Sequence, residues 1–226
     1  MKKKLLFSLG LMMSLFTLSS FTDGPDKSAD QINGHEYVDL GLPSGAKWAT
    51  CNVGATKPEE LGGYYAWGET EEKDAYLWRT YKLCTGNGSS MTKYCTNSSK
   101  GTVDNKTVLD PEDDVAHVKW GGSWRMPTLD ELKELRRKCS WEWTTLNGVN
   151  GYKVTGPNGN SIFLPAAGSR SGEVLSGSGS NGGYWSSSLS DGSSSVAYRL
   201  QFDSGGYNSQ GKKGRKDGLS VRPVCK

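Results

Sequence analysis

The chain reads as an α+β domain: two amphipathic helices set among many short strands punctuated by glycine. Three observations predict it. Residues 120–135, WGGSWRMPTLDELKEL, place Thr128 as a helix N-cap with Glu131 three residues on, where a capping box needs it. Leu129, Leu132 and Leu135 then recur at helical spacing, and Arg136, Arg137 and Lys138 fall at the negative C-terminal end. Glycine supplies 30 of 226 residues, far above ordinary usage, and breaks the rest of the chain into short β-like runs. The length suits one domain behind a leader.

The leader is residues 1–20. Lys2, Lys3 and Lys4 form a basic start, and residues 5–18 form an apolar run too short for an ordinary membrane span. This reads as a signal peptide, leaving no stable membrane span in the mature chain. The first cysteine is Cys51, too far on for lipid attachment behind the leader. An exported, periplasmic, cell-surface or secreted protein that is not a lipoprotein is expected. Residues 21–34 are polar and read as a flexible spacer, with the domain occupying residues 35–226.

The domain opens with Tyr37-Val38-Asp39-Leu40, a Pro43-Ser44-Gly45 turn, and a second strand from Lys47. Pro58-Glu59-Glu60 predicts one or two helical turns over residues 57–61. Residues 69–108 are polar, without a clear period, and read as a long excursion. Asp110 as cap and Pro111 at the first position predict the first helix, with Val115 and Val118 on its apolar side. After the second helix the chain turns β-like. Strands at residues 151–155 and 161–165 flank the turn Gly156-Pro157-Asn158-Gly159. Further strands are expected at residues 184–188, 196–202 and 218–224, separated by loops at 168–183, 189–195 and 203–217. No repeat of fixed period is visible.

Charge and metal-binding residues narrow the function. Lys and Arg number 27 against 24 Asp and Glu, a net +3 too balanced for a nucleic-acid surface. Lys212-Lys213-Gly214-Arg215-Lys216 reads as a solvated loop. Of the five cysteines, Cys84 and Cys95 are the best candidates for a disulfide, because residues 86–90 between them read as a turn. Two histidines and no CxxC spacing argue against zinc. Asp110, Glu112, Asp113 and Asp114 are an oxygen-rich cluster that could suit calcium, but helix capping accounts for them, so no cofactor is expected.

Several motifs carry a resemblance. Trp124-Arg125-Met126-Pro127-Thr128 with Glu131 resembles an element of the formylglycine-generating, sulfatase-modifying branch of the C-type lectin fold, and Gly218-Leu219-Ser220-Val221-Arg222 resembles that fold's closing strand. Asp39-Leu40-Gly41-Leu42-Pro43-Ser44-Gly45, Tyr65-Ala66-Trp67-Gly68-Glu69, Phe163-Leu164-Pro165-Ala166-Ala167-Gly168 and Tyr184-Trp185-Ser186-Ser187-Ser188 resemble the Fibrobacter succinogenes major paralogous domain of exported Bacteroidetes proteins. The resemblance implies a C-type-lectin-like fold: two helices around short twisted antiparallel sheets with long loops, the N- and C-terminal strands paired, and ligand contacts in the C-terminal loops. Tyr184, Tyr198, Arg199, Gln201, Asp203, Tyr207 and Asn208 are the candidate ligand-binding side chains.

That branch's enzymes use a cysteine pair or a histidine cluster, and this chain has only Cys225 late and two isolated histidines, so catalysis is not expected. The calcium-dependent sugar motifs of C-type lectins are also missing. The leading expectation is a non-catalytic binding domain for an extracellular glycan or protein. The alternatives are a variable ligand-binding protein of a diversity-generating retroelement, and a structural subunit of a surface or adhesive assembly.

Overall fold

The computed structural model describes residues 30–226, so the expected signal peptide and most of the expected spacer lie outside the described residues. Twelve strands and two short α-helices make up the regular structure. The strands are β1 (Gln31–Ile32), β2 (His35–Asp39), β3 (Lys47–Ala49), β4 (Ser140–Leu146), β5 (Val149–Thr155), β6 (Ser161–Pro165), β7 (Ser169–Ser171), β8 (Val174–Ser176), β9 (Asn181–Leu189), β10 (Val196–Asp203), β11 (Gly206–Gly214) and β12 (Val224–Cys225); the helices are α1 (Val115–Trp120) and α2 (Leu129–Lys138). They form sheets of order β1-β2-β3-β12, β11-β10-β9, β4-β5-β6 and β7-β8.

This corrects the α+β expectation. The architecture is β-rich, sheet packed on sheet, with the helices as minor elements. Much of the difference lies in segments read as loops. Residues 168–183 contain β7, β8 and the start of β9, and residues 203–217 contain β11. Serine and glycine carry little β-propensity of their own, so these strands exist through their long-range partners. The helical turns expected at residues 57–61 are bare turns, closed by Thr56 and Lys57 N–H groups donating to the Glu60 carboxylate and stopped by Gly62 and Gly63. At the N-terminus, Gln31 and Ile32 of the expected spacer pair with β2.

The two ends of the domain meet: β12 pairs antiparallel with β3, Val224 opposite Trp48. One buried cluster packs Trp67, Trp124 and Trp185 with Val115 of α1. A second lies between the β4-β5-β6 sheet and β9-β10, joining Tyr152, Val154, Leu164, Leu200 and Phe202 with Leu132 and Leu135 of α2. The 69–108 excursion has a small core of its own, built on Tyr76, Tyr81 and Met91. Among the described residues no helix is long and apolar enough to cross a membrane.

Both helix starts are held by side chains. Asp110 makes no capping bond; residues 111–113 are a single 3-10 turn, and Asp114 caps α1 instead. Its Oδ1 accepts from the Ala116 and His117 N–H groups, and its Oδ2 from the Met126 N–H. At α2 the expected capping box forms between Thr128 and Glu131. Arg125 adds a two-pronged contact to Glu131, at 2.7 and 2.6 Å.

Burial would raise the Glu131 pKa, but the Arg125 guanidinium and the Thr128 N–H reverse this and hold it below its ordinary 4.5. A folded pKa below the unfolded one means a contribution present in full above about 4.5 and lost as pH falls through the folded value. Glu131→Gln is therefore expected to lower the urea midpoint at pH 7 by an amount equivalent to about 1–3 kcal/mol. The gap from the parent protein should narrow on acidification below pH 4. A gap that stays constant with pH would rule out this ion pair as the source.

Two arginines lie wholly inside the protein. Arg222 donates from Nε to Asn52 Oδ1, from Nη1 to the Ala49 and Thr50 carbonyls, and from Nη2 to the Phe163 carbonyl, all at 2.9–3.1 Å. Arg215, expected in a solvated loop, is fully buried among Trp67, Tyr81 and Tyr94, 4.8, 5.3 and 5.7 Å from their ring centroids. It donates to the Tyr81 hydroxyl and to the Lys93, Tyr94 and Ser194 carbonyls. Each cation is balanced by neutral acceptors rather than by a carboxylate.

Candidate functional site

The β9-β10-β11 sheet carries the candidate site. Along β10, Tyr198, Leu200 and Phe202 are buried on one face, whereas Arg199, Gln201 and Asp203 alternate onto the other and keep solvent access. Register shifts bracket Arg199: one against β9 between Ala197 and Arg199, one against β11 between Arg199 and Gln201. Such bulges re-aim side chains.

Across from this pair the neighbouring strands carry glycine. Gly183 lies opposite Gln201 and Gly211 opposite Arg199. Neither has a positive φ, so backbone conformation does not demand them; space does. A Cβ at Gly211 would sit 2.8 Å from Gln201 Oε1, and one at Gly183 would sit 3.0 Å from Leu219 Cδ2 and 3.4 Å from Arg199 Nη1. Arg199 and Gln201 line a cavity of about 580 Å³, a size typical of small-ligand sites. Asp203, Tyr207, Asn208 and Lys213 line its β10-β11 side, and Ser169 and Ser176 of the β7-β8 ribbon face them.

Arg199 is incompletely paired. Nη2 donates to Gln201 Oε1 at 2.7 Å, while the buried Nε has no partner among the described residues. Burial lowers its pKa from the ordinary value, against the pull of the nearby Asp217 carboxylate. Asp217 itself is engaged by Lys216 at 2.6 Å and by the Ser171 hydroxyl. Asp203 is tied into the β10-β11 turn, its Oδ1 accepting from the Gly205 N–H.

Five of the expected residues, Arg199, Gln201, Asp203, Tyr207 and Asn208, line one cavity, although Tyr207 lies cross-strand from Phe202 and sends its ring to the other face, onto Trp141. Two do not. Tyr184 is in the core, its hydroxyl donating to the Pro165 carbonyl at 2.7 Å and its pKa pushed up to about 12 by burial. Tyr198 is turned to the other face of β10 and donates to Asp191 Oδ2. Sequence reasoning missed the aromatic packing behind Tyr207. Half-buried Trp141 stacks on Tyr207 with centroids 4.4 Å apart, and Trp143 follows two residues on, edge-on to Tyr152. The Trp-x-Trp alternation of β4 was the available signal.

Residues 141–224 match a family described as a domain of unknown function (DUF8237). The matched segment runs from β4 into β12 and contains the whole cavity, leaving β1–β3 and both helices outside it. No curated protein and no solved structure matches the chain.

The expected disulfide changes in the structure. The Cys84–Cys95 bridge is not formed, and all five cysteines are free thiols. The turn at residues 86–90 brings Met91, not Cys95, opposite Cys84. The thiols donate instead to nearby carbonyls, Cys84 to Trp78 and Cys95 to Asn97. Asp110, Glu112 and Asp113 do approach one another within 4.8 Å. The Lys93 ammonium reaches all three, at 2.7, 3.1 and 2.6 Å, so a side chain supplies the positive charge this cluster requires. Asp114 faces away, into the α1 cap.

Proposed function

We propose that the chain is an exported, non-catalytic binding domain that holds an extracellular glycan in the cavity between the β9-β10-β11 sheet and the β7-β8 ribbon. The observation that carries this is the convergence of Arg199, Gln201, Asp203 and Asn208 on one cavity. Amide and charged groups on one wall can hydrogen-bond sugar hydroxyls. Behind this wall Tyr207, cross-strand from Phe202, packs on Trp141 and backs the sheet that carries these groups.

Asn208 is exposed at the cavity wall, so a large side chain there fills the space without entering the core. In a glycan-array screen of the secreted chain, Asn208→Trp is expected to weaken the strongest signals about tenfold or more, with an unchanged melting temperature. Undiminished binding by the variant would show that the ligand sits elsewhere. A protein ligand, the other form of this reading, would appear as array silence together with Asn208-dependent binding to host-protein arrays.

A further inference from the structure

Three arginines of this chain are removed from solvent to a large extent, and they are treated differently. Arg215 and Arg222 each make four hydrogen bonds to neutral acceptors. Arg199 makes one, to Gln201. Among the described residues only three buried side-chain polar atoms have no partner: Trp48 Nε1, Ser209 Oγ and Arg199 Nε. Arg199 alone of these is a cation, and it alone lines the cavity. A guanidinium taken out of water needs its donors answered, and a bidentate oxyanion answers two at once.

The surrounding charges do not supply that anion. Arg199 has no ion pair with any described carboxylate. Asp217, the nearby acid, is already paired with Lys216, and Lys213 lies 3.9 Å from its other oxygen. Lys213 lines the cavity as well, its ammonium shared with Asp217, and Asp203 is the one carboxylate in the lining.

We infer that the ligand is an acidic saccharide whose carboxylate docks on Arg199, with Gln201 fixing the guanidinium and Lys213 adding to the field. This rests on the glycan reading of the cavity. The Gln201 amide accepts from Nη2 and holds the fork in one orientation, leaving Nη1 and its share of the positive charge for the ligand. The neutral hydrogen-bonding groups around it then serve the hydroxyls of the same sugar.

The test uses matched pairs of uronic-acid disaccharides, such as digalacturonate, and the same sugars with the carboxyl reduced to an alcohol. Each is titrated calorimetrically into the full mature chain at physiological salt. The acid form is expected to bind about tenfold or more tighter than the reduced form. Arg199→Gln should erase that difference, so that the acid and reduced forms bind equally weakly. Arg199→Lys should keep part of the preference, because it retains the charge without the planar fork. Melting curves of the variants confirm that the fold is intact.

Equal binding of acid and reduced forms, lost in Asn208→Trp, would overturn this inference and leave the glycan site standing. A preference for the acid that survives Arg199→Gln would also overturn it. Failure of every acidic and neutral saccharide in the panel to show cavity-dependent binding would overturn the glycan reading and this inference together.

Discussion

Arg222→Ala is expected to cost about 3–5 kcal/mol of stability, read as a lower urea midpoint at unchanged slope. The guanidinium is 1% exposed and serves four acceptors, three of them main-chain carbonyls. Those acceptors belong to the chain leaving β3, at Ala49, Thr50 and Asn52, and to Phe163 of β6. No other donor is placed to replace all four, so truncation strands buried carbonyls and opens a cavity at the same point. Arg222→Lys should recover only part of the loss, since an ammonium cannot reproduce the spread of five donors in one plane. A loss below about 1 kcal/mol for the alanine variant would mean that water enters and satisfies the carbonyls.

Arg215→Ala is expected to have an effect of similar size and different reach. This side chain ties the 69–108 excursion to the end of β11 through the Tyr81 hydroxyl and the Lys93 and Tyr94 carbonyls, inside three aromatic rings. Its removal costs four hydrogen bonds and the cation–π contacts, about 3–4 kcal/mol. The opening should be local. Amide exchange is expected to accelerate around residues 76–106, while β4–β6, whose buried side chains belong to a different core cluster, stay protected. Uniform acceleration across both regions would show that the excursion and the sheets unfold as one unit.

How much of this was legible in the sequence depends on how far the deciding contacts reach. The α2 start was legible because Thr128 and Glu131 are three residues apart and act on each other. The β5-β6 hairpin was legible for the same reason, its turn residues lying between the strands they join. The β7, β8 and β11 strands were not. Their serines, glycines and lysines match a loop in composition, and their pairing is decided by partners the local pattern does not name. Arg215 shows the limit most sharply: in a run with Lys212, Lys213 and Lys216 it looks solvated, and only the aromatic residues some 120–150 positions earlier make it a core residue.

The candidate site was legible in part. Alternation along β10 put Arg199, Gln201 and Asp203 on one face, and that face is where the cavity lies. Tyr198 belongs to the opposite phase of the same alternation, and Tyr184 pairs with Leu200 of that phase across the β9-β10 ladder. Trp141 went unseen because its stacking on Tyr207 crosses from one sheet to another.

The pairing of β12 with β3 has a consequence for the order in which the domain can close. Trp48 of β3 already has Val38 of β2 on one side, but it gains its second strand partner, and Asn52 and the Ala49 carbonyl gain their guanidinium, only when residues 222–225 dock. Val221 and Cys225 belong to one main core and Val224 to the other, so neither core is complete before that step. A single short strand is thus the clasp of both.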